Sequence, residues 1–524
     1  MNARLANSLW VASCLPGWGR FTHAAKNVAA AQQQLLSEYL QTNGATEYGQ
    51  TYRFANITTP GQYQAQVPLT DYDSYMPLIE RIGNGDASIL TAEPVRMFEL
   101  SSGSTAASKL IPYTRRLKAE FQRGIAPWIF DLYSHHPQIL GGPAYWSLTP
   151  LTTGKRFTPA GIPIGFESDS AYLGSLGQRL VDAIMAVPDT VKYLTSINDF
   201  RYATLLSLLR QPELRLISVW NPTFLSLLLS PLVDWWDSLC DDLARGTMTL
   251  PDSSAESRLP PRPELARRLK GVHPTDYTSI WPRLALLSCW MDGPAAAYAH
   301  PLAEKFPRVL MQGKGLLATE AFVSFPLAGV EGGVLAVNSH FFEFIDETGD
   351  ILLAHQLQKG KIYSVVITTG GGLYRYQLHD LVEVLGFWGQ LPRLRFVGKA
   401  GHISDWFGEK LEERFVANVL EQVFHMHSLS PIFAMLAPDE NRAGFRYVLY
   451  LDSDMPFDTS TLAQNLDSAL RANFHYDYCR RLEQIRATSV VRVTRGAESY
   501  LRACQLRGQK LGDIKPLVLQ KTQG

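Results

Sequence analysis

Thr368-Thr369-Gly370-Gly371-Gly372-Leu373-Tyr374-Arg375-Tyr376-Gln377-Leu378-His379-Asp380 is the stretch on which the fold of this chain turns. It follows directly on a β-type run, Tyr363 to Thr368. Three consecutive glycines at a strand end signal tight turning or close approach of a ligand, since a residue without Cβ permits both. The carboxylate just beyond them, Asp380, has the chemistry to hold a ribose diol or a metal-bound water. A turn in which Asp380 merely caps the backbone is the plainer alternative. Around this stretch the texture is that of short strands: Val309 to Met311, Val334 to Val337, Phe341 to Ile345, Val382 to Leu385 and Leu394 to Val397. Together they predict a sheet that carries a ligand site on its turns.

Upstream the chain is helix-rich. Ala, Gln and Leu dominate Phe21 to Thr42 without a proline, and helices are expected there, from Arg116 to Ser134, from Ser175 to Met185 and across Thr204 to Ala244. Between them Val95 to Phe98 and Leu110 to Tyr113 read as strands flanking a small-residue loop, Ser101 to Lys109. Leu250 to Pro263, polar and proline-rich, is expected as an exposed loop. Downstream, helix (Leu411 to His425), strand (Phe445 to Leu451), helix (Thr459 to Asn473) and strand (Ser489 to Val493) form a compact α+β unit. Gly398-Lys399-Ala400-Gly401 is a plausible hinge before it. The expected organisation is α/β, a large domain over 1–398 and a small mobile domain over 399–524.

The 524 residues allow a large core and more than one domain. Lys plus Arg and Asp plus Glu both number 49, so no overall charge draws a polyanion, and nucleic acid is a poor partner. Five scattered cysteines (Cys14, Cys240, Cys289, Cys479, Cys504) fit neither a disulfide framework nor a zinc pattern, which favours the cytoplasm. The apolar patch Leu9 to Leu15 is too short and broken for a secretory segment. Phe224 to Trp236, interrupted by Pro231 and Asp234, falls well short of the roughly 20 residues a bilayer span needs.

Two further segments carry anion chemistry. Hydroxyls and a glycine packed between strands let Ser101-Ser102-Gly103-Ser104-Thr105 converge backbone N–H and side-chain O–H groups on a phosphate, although a flexible surface loop has the same composition. No GxxxxGK[ST] string occurs, so this is not a Walker A loop. Gly313-Lys314-Gly315-Leu316-Leu317-Ala318 matches the loose GxGxxA dinucleotide pattern, but a β-rich run broken by Pro326 follows instead of a helix, and the match is discounted. Near the end, Lys515 before Pro516 sits in a short segment able to deliver a positive charge into a cleft.

In their order along the chain these motifs resemble the adenylate-forming (acyl/aryl ligase, luciferase-like) superfamily and, more closely, its auxin-responsive Gretchen Hagen acyl-acid-amido synthetase family. Ser101 to Thr105 is similar to that family's Ser-Ser-Gly-Thr-Thr phosphate loop, and Thr319-Glu320 to its Ser-Ser-Glu or Thr-Glu motif. Phe341 to Phe344 resembles its aromatic strand, and Thr368 to Asp380 its Thr-Thr-x-x-Gly-Leu-Tyr-Arg-Tyr-Arg-x-Gly-Asp stretch. Gly398 to Glu412 is similar to the superfamily's hinge motif, and Gly508 to Pro516 to the terminal lysine segment. The departures are Leu316 for an aromatic, Gln377 for Arg, His379 for Gly and Gly401 for the hinge Asp.

The resemblance implies a large domain of mixed sheets and a barrel-like part flanked by helices, with a mobile α+β lid. It implies two half-reactions using ATP and Mg²⁺. A carboxylate attacks the α-phosphorus to give acyl-adenylate and pyrophosphate; an amine, usually an amino acid, then displaces AMP. On that assignment Ser101, Ser102, Gly103, Ser104 and Thr105 hold the β- and γ-phosphates, Thr319 contacts the α-phosphate and Glu320 supports Mg²⁺. Asp380 accepts the ribose hydroxyls, Phe341 or Phe396 stacks on adenine, and Lys515 bridges the α-phosphate and the attacking carboxylate as the lid turns about Lys399. The acyl pocket is expected among Trp220, Phe224, Trp235 and Trp236, or else these are core. Alternatives are a coenzyme A ligase with a thiol acceptor and a nucleotide-binding relative without catalysis. The Ser-Ser-Lys arrangement of amidase-signature hydrolases leaves Thr368 to Asp380 unexplained.

Overall fold

The strand Ile362–Thr368 turns through the glycine-rich stretch and returns as Tyr376–Trp388, pairing antiparallel with Ile367 opposite Tyr376. The computed structural model that defines this arrangement describes residues 2–101, 109–147, 156–165, 179–253, 256–401, 403–404, 406–407, 409–441, 444–481, 483–507, 509, 514 and 517–521. The glycines answer to protein neighbours. A Cβ on Gly370 would lie 2.5 Å from Glu120 Oε1, one on Gly371 2.7 Å from the Pro112 carbonyl oxygen, and Gly372 takes φ +93° against Leu90. Of the two meanings that the sequence allows for the triplet, the tight turn is the one realised here.

The returning strand is central in a seven-stranded antiparallel sheet ordered 324–326, 333–335, 391–399, 376–388, 362–368, 341–345 and 351–353. Alternating burial along Tyr376–Trp388 follows from the two-residue period of a strand, one face packing on the core. Helices Ala3–Ala24 and Val28–Asn43 and the segment up to Tyr75 cover this sheet in the first core, with Tyr39, Tyr63, Tyr75, Phe342 and Tyr374 buried. The single helix expected over Phe21 to Thr42 is therefore two. The break falls at Asn27, whose side chain accepts from the Ala30 amide and caps the second helix.

A second, four-stranded sheet is wholly parallel, ordered 310–312, 286–288, 216–218 and 144–146. Helices pack on it around Leu205, Leu225 and Leu239. The unbroken helix expected across Thr204 to Ala244 is instead Ile197–Leu209, the strand Leu216–Ser218, then Pro222–Leu229 and Leu232–Arg245. Pro222 opens the next helix at its first turn, and Pro231, which has no N–H to give, separates the last two. Of the helix expected over Ser175 to Met185, residues 175–178 lie outside the described residues, 179–182 are helical and 183–185 are not.

The C-terminal unit holds the strands 433–441, 444–452 and 489–492 with helices Glu413–Met426 and Thr459–Leu470 over its own core. It is tied to the second core by Leu501, Cys504 and Ile514, and the Asn221 side-chain amide donates to the Ile514 carbonyl at 2.8 Å. Gly401, at φ +71° with open space where a Cβ would sit, lets the chain leave the large sheet in a direction that other residues resist.

Candidate functional site

Asp380 and Lys399 face each other across adjacent strands of the large sheet. Asp380 is 2% exposed and its Oδ1 lies 3.5 Å from Lys399 Nζ, an ion-pair separation at which the oxygen has no hydrogen-bond donor. The carboxylate raises the Lys399 ammonium above its ordinary pKa against the opposing effect of burial, and Glu320 and Glu413 add to it. A buried carboxylate oxygen aimed at a cation yet lacking a donor is an acceptor in want of a hydroxyl.

Glu320 approaches from the irregular segment after Leu310–Gln312. No helix opens there, as the Rossmann pattern would need, so the discounted GxGxxA match stays discounted. Glu320 is 7% exposed, and its charge acts on Lys399, Tyr72 and Tyr376, raising both phenols in addition to the larger effect of their burial. Thr319 is held through its carbonyl, which accepts from Tyr113 Oη at 2.5 Å. Tyr113 ends the strand Lys109–Tyr113, whose partner Met97–Ser101 pairs Ser101 with Lys109. The Leu110 amide donates to Tyr72 Oη at 2.7 Å, and Lys109 Nζ stands 5.4 Å from the Tyr72 ring centre. Both ends of the expected phosphate loop are thus fixed beside Tyr72 and Tyr113, on the side of Thr319 and Glu320. Ser102, Gly103, Ser104, Thr105 and Lys515 themselves lie outside the described residues.

Phe341 is 1% exposed in the first core, with its ring edge-on to Tyr63. Phe396 is half-buried, beside Gly293. Of the aromatics expected in the acyl pocket, Phe224 and Trp236 are core, whereas Trp220 lies over Lys314.

Several buried groups have no role read from the sequence. Glu120, 0% exposed, accepts from the Gly370 amide at 2.8 Å and pairs with His340 Nδ1 at 3.1 Å and Arg116 Nε at 3.3 Å. Arg375, at φ +49°, pairs with Glu343 and donates to the carbonyls of Gln64 and Val67. These contacts make the glycine turn rigid, and through it fix the strand that bears Asp380. Glu413, 5% exposed and accepting from the Val518 amide, is pushed up to about 7 by burial.

Three consecutive family models match the chain: the GH3 family N-terminal domain over residues 18–311, the GH3 family central domain over 333–399 and the GH3 family C-terminal domain over 414–523. An indole-3-acetic acid-amido synthetase of Oryza sativa subsp. indica, GH3.8, is 27% identical over 464 residues, 81% of this chain and 75% of that protein. GH3.3 of Arabidopsis thaliana, another indole-3-acetic acid-amido synthetase, is 26% identical over 76% of this chain and 71% of its own length. The jasmonoyl–L-amino acid synthetase JAR6 of Nicotiana attenuata is 26% identical over 72% of this chain and 70% of its own length. The solved structure of AtGH3.15 acyl acid amido synthetase in complex with 2,4-DB shares the fold, with a TM-score of 0.84 at 20% identity over 97% of this chain and 94% of that one.

Proposed function

This chain belongs to the GH3 family, and on that premise we propose how it works as an ATP-dependent acyl-acid amido synthetase. It is an adenylate-forming ligase: a carboxylic acid is activated with ATP and its acyl group passes to an amine, for which we propose an amino acid. The observation that carries the site is the orphaned Asp380 Oδ1 beside Lys399, on the same side as Thr319, Glu320 and the two ends of the small-residue loop.

Asp380 accepts from the ribose hydroxyls, replacing the donor its oxygen lacks, with the Lys399 ammonium standing opposite. Thr319 faces the α-phosphate, and Ser101, Ser102, Gly103, Ser104 and Thr105 receive the terminal phosphates through backbone and hydroxyl donors. Phe396, half-buried, or Phe341 lies against adenine. Among the described residues no three His, Cys, Asp or Glu gather, so a Mg²⁺ would be held by Glu320 together with phosphate oxygens, the usual manner for this ion. There it would screen the repulsion between polyphosphate and the incoming carboxylate.

We assign Lys515 to the pentavalent charge at the α-phosphorus and residues 399–524 to a lid that carries it. Support comes from Ile514, the residue before Lys515, which is docked on Asn221 at the start of the helix Pro222–Leu229. No helix among the described residues is long and apolar enough to cross a membrane. The five cysteines are buried and form no disulfide, which supports the cytoplasm as the compartment we propose.

The test is ATP/pyrophosphate exchange with pooled carboxylic acids and Mg²⁺, wild type beside Lys515→Ala, followed by mass spectrometry of products formed with mixed amino acids. Acid-dependent exchange that falls at least about 100-fold in the variant is expected. Thioester in place of amide when coenzyme A is supplied would overturn the amide reading; absence of exchange with every acid would overturn adenylation.

A further inference from the structure

The four strands of the parallel sheet end in one register row, Trp146, Ser218, Ser288 and Gln312, each the last residue of its strand. The carboxyl edge of a parallel sheet is where such folds receive ligands. Two residues beyond Gln312, Lys314 turns back over this row. It is 5% exposed, its Nζ donates to Ser218 Oγ at 2.6 Å, and it stands 4.7, 5.3 and 5.8 Å from the ring centres of Trp220, Trp128 and Trp146. Among the described residues Lys314 has no ion-pair partner, and one hydrogen bond leaves two of its three ammonium donors unused. Burial presses it down to about 7. Two more buried donors point the same way: Ser288 Oγ, on a residue 1% exposed, and Trp146 Nε1 have no hydrogen-bond partner.

Such a set is costly in a core and is satisfied by an oxygen acceptor, best an anionic one. Three indole faces around an ammonium suit a flat or apolar body ending in that oxygen. The cage is set apart from the phosphate end. Tyr113, bonded to Thr319, stands one residue before the start of the helix, with the cap Thr114 between it and Arg115–His135, and Trp128 lies more than three turns along that helix, about 20 Å at the helical rise. Lys314 to Thr319 is five residues, a reach of at most about 17 Å. Between the two ends there is length for a small aromatic or medium-chain acid.

Resting on the ligase reading above, we propose that Lys314, with Ser288 and the three tryptophans, closes the far end of the acyl-acid pocket and selects acids that carry a second oxygen acceptor, a hydroxyl or carboxylate, remote from the reacting carboxyl. The amine is a specificity determinant that touches the substrate away from the bond being made.

Matched acids test this: phenylacetate against 4-hydroxyphenylacetate, and octanoate against suberate, in ATP/pyrophosphate exchange with wild type, Lys314→Met and Ser288→Ala. Wild type is expected to favour the acceptor-bearing member of at least one pair by about tenfold or more in kcat/KM. Lys314→Met is expected to bring that ratio to one or below, and Ser288→Ala to lower it by a smaller factor. Tryptophan fluorescence titration of the same acids, without ATP, reads the cage directly and does not need adenylation. If exchange fails with every acid yet the acceptor-bearing acids quench wild type and not Lys314→Met, the ligase reading falls and the binding site stands. An unchanged ratio and unchanged quenching in a Lys314→Met protein of normal circular dichroism overturns the proposal, as does a wild type that prefers the unsubstituted acids.

Discussion

Lys399 and Lys314 are both drawn into the protein, but only one is met by a carboxylate. Lys399 faces Asp380 across two strands and keeps about a third of its side chain in solvent; its pKa rises. Lys314 is met by a serine hydroxyl and three indole faces, and its pKa falls to about 7. Burial acts against the charge in both places, and what decides the sign is whether an anion stands opposite. The first lysine is a completed pair that leaves one carboxylate oxygen wanting a donor. The second is an incomplete pair whose missing half has to come from outside.

Four measurements break or sharpen this contrast. The largest effect belongs to Lys314. Its pKa is depressed in the folded state, so the unfolded chain binds more protons between about pH 7 and pH 10.5, and stability should climb with pH across that window. Lys314→Met should remove a rise of up to about 3–5 kcal/mol, at roughly 1.4 kcal/mol per pKa unit, in urea melts from pH 6.5 to 10. An identical slope in both proteins would mean that the cage does not depress the amine.

Glu413 is the mirror case, a carboxyl raised to about 7 by burial despite Lys399 and Lys521 nearby. Here the unfolded chain gives up its proton near pH 4.5 while the folded one keeps it. The associated stability is therefore present below about 4.5 and lost as pH rises through 7. Glu413→Gln should flatten a fall of about 3 kcal/mol between those limits, seen as a difference between paired melts. Asp380→Asn tests the completed pair. Two charge-assisted bonds to a diol are lost and Lys399 loses its partner, so KM for ATP should rise about 100-fold with the fold intact. The smallest effect is Gly401→Ala, in which a positive φ is imposed on a residue with Cβ but no neighbour is struck. About 1 kcal/mol of stability is expected to be lost, read as a shift in the urea midpoint.

The same contrast governs how much the sequence disclosed. Thr368 to Asp380 carried its meaning locally: a strand, a glycine turn and a carboxylate within thirteen residues, and the structure puts them on one sheet. The helix-rich middle, the short strands after Arg308 and the terminal α+β unit were legible for the same reason, because hydrophobic period and turn residues act over short spans. Where the chain had to break, at Asn27 or before Pro222, the deciding event was a single cap or a missing N–H, which composition averages away. Glu120 looked like any helical glutamate until the fold set Gly370 and His340 against it. The burial of Phe341 was not legible either, since which side a strand residue faces is fixed by partners elsewhere in the chain. The cage around Lys314 needs residues 128, 146 and 220, and no local pattern joins them.

One further contact sets a limit on motion. Ile514, 1% exposed among Leu501, Cys504 and the second core, is held by the Asn221 side chain through its own carbonyl. Any rearrangement that lifts this isoleucine off the second core brings it into water, at about 1.5–3 kcal/mol for the side chain and about 1 kcal/mol for the hydrogen bond. Ile514 is thus a latch. Its rate of release is written in the fit of one aliphatic side chain, so Ile514→Ala should shorten the time for which this contact stays made.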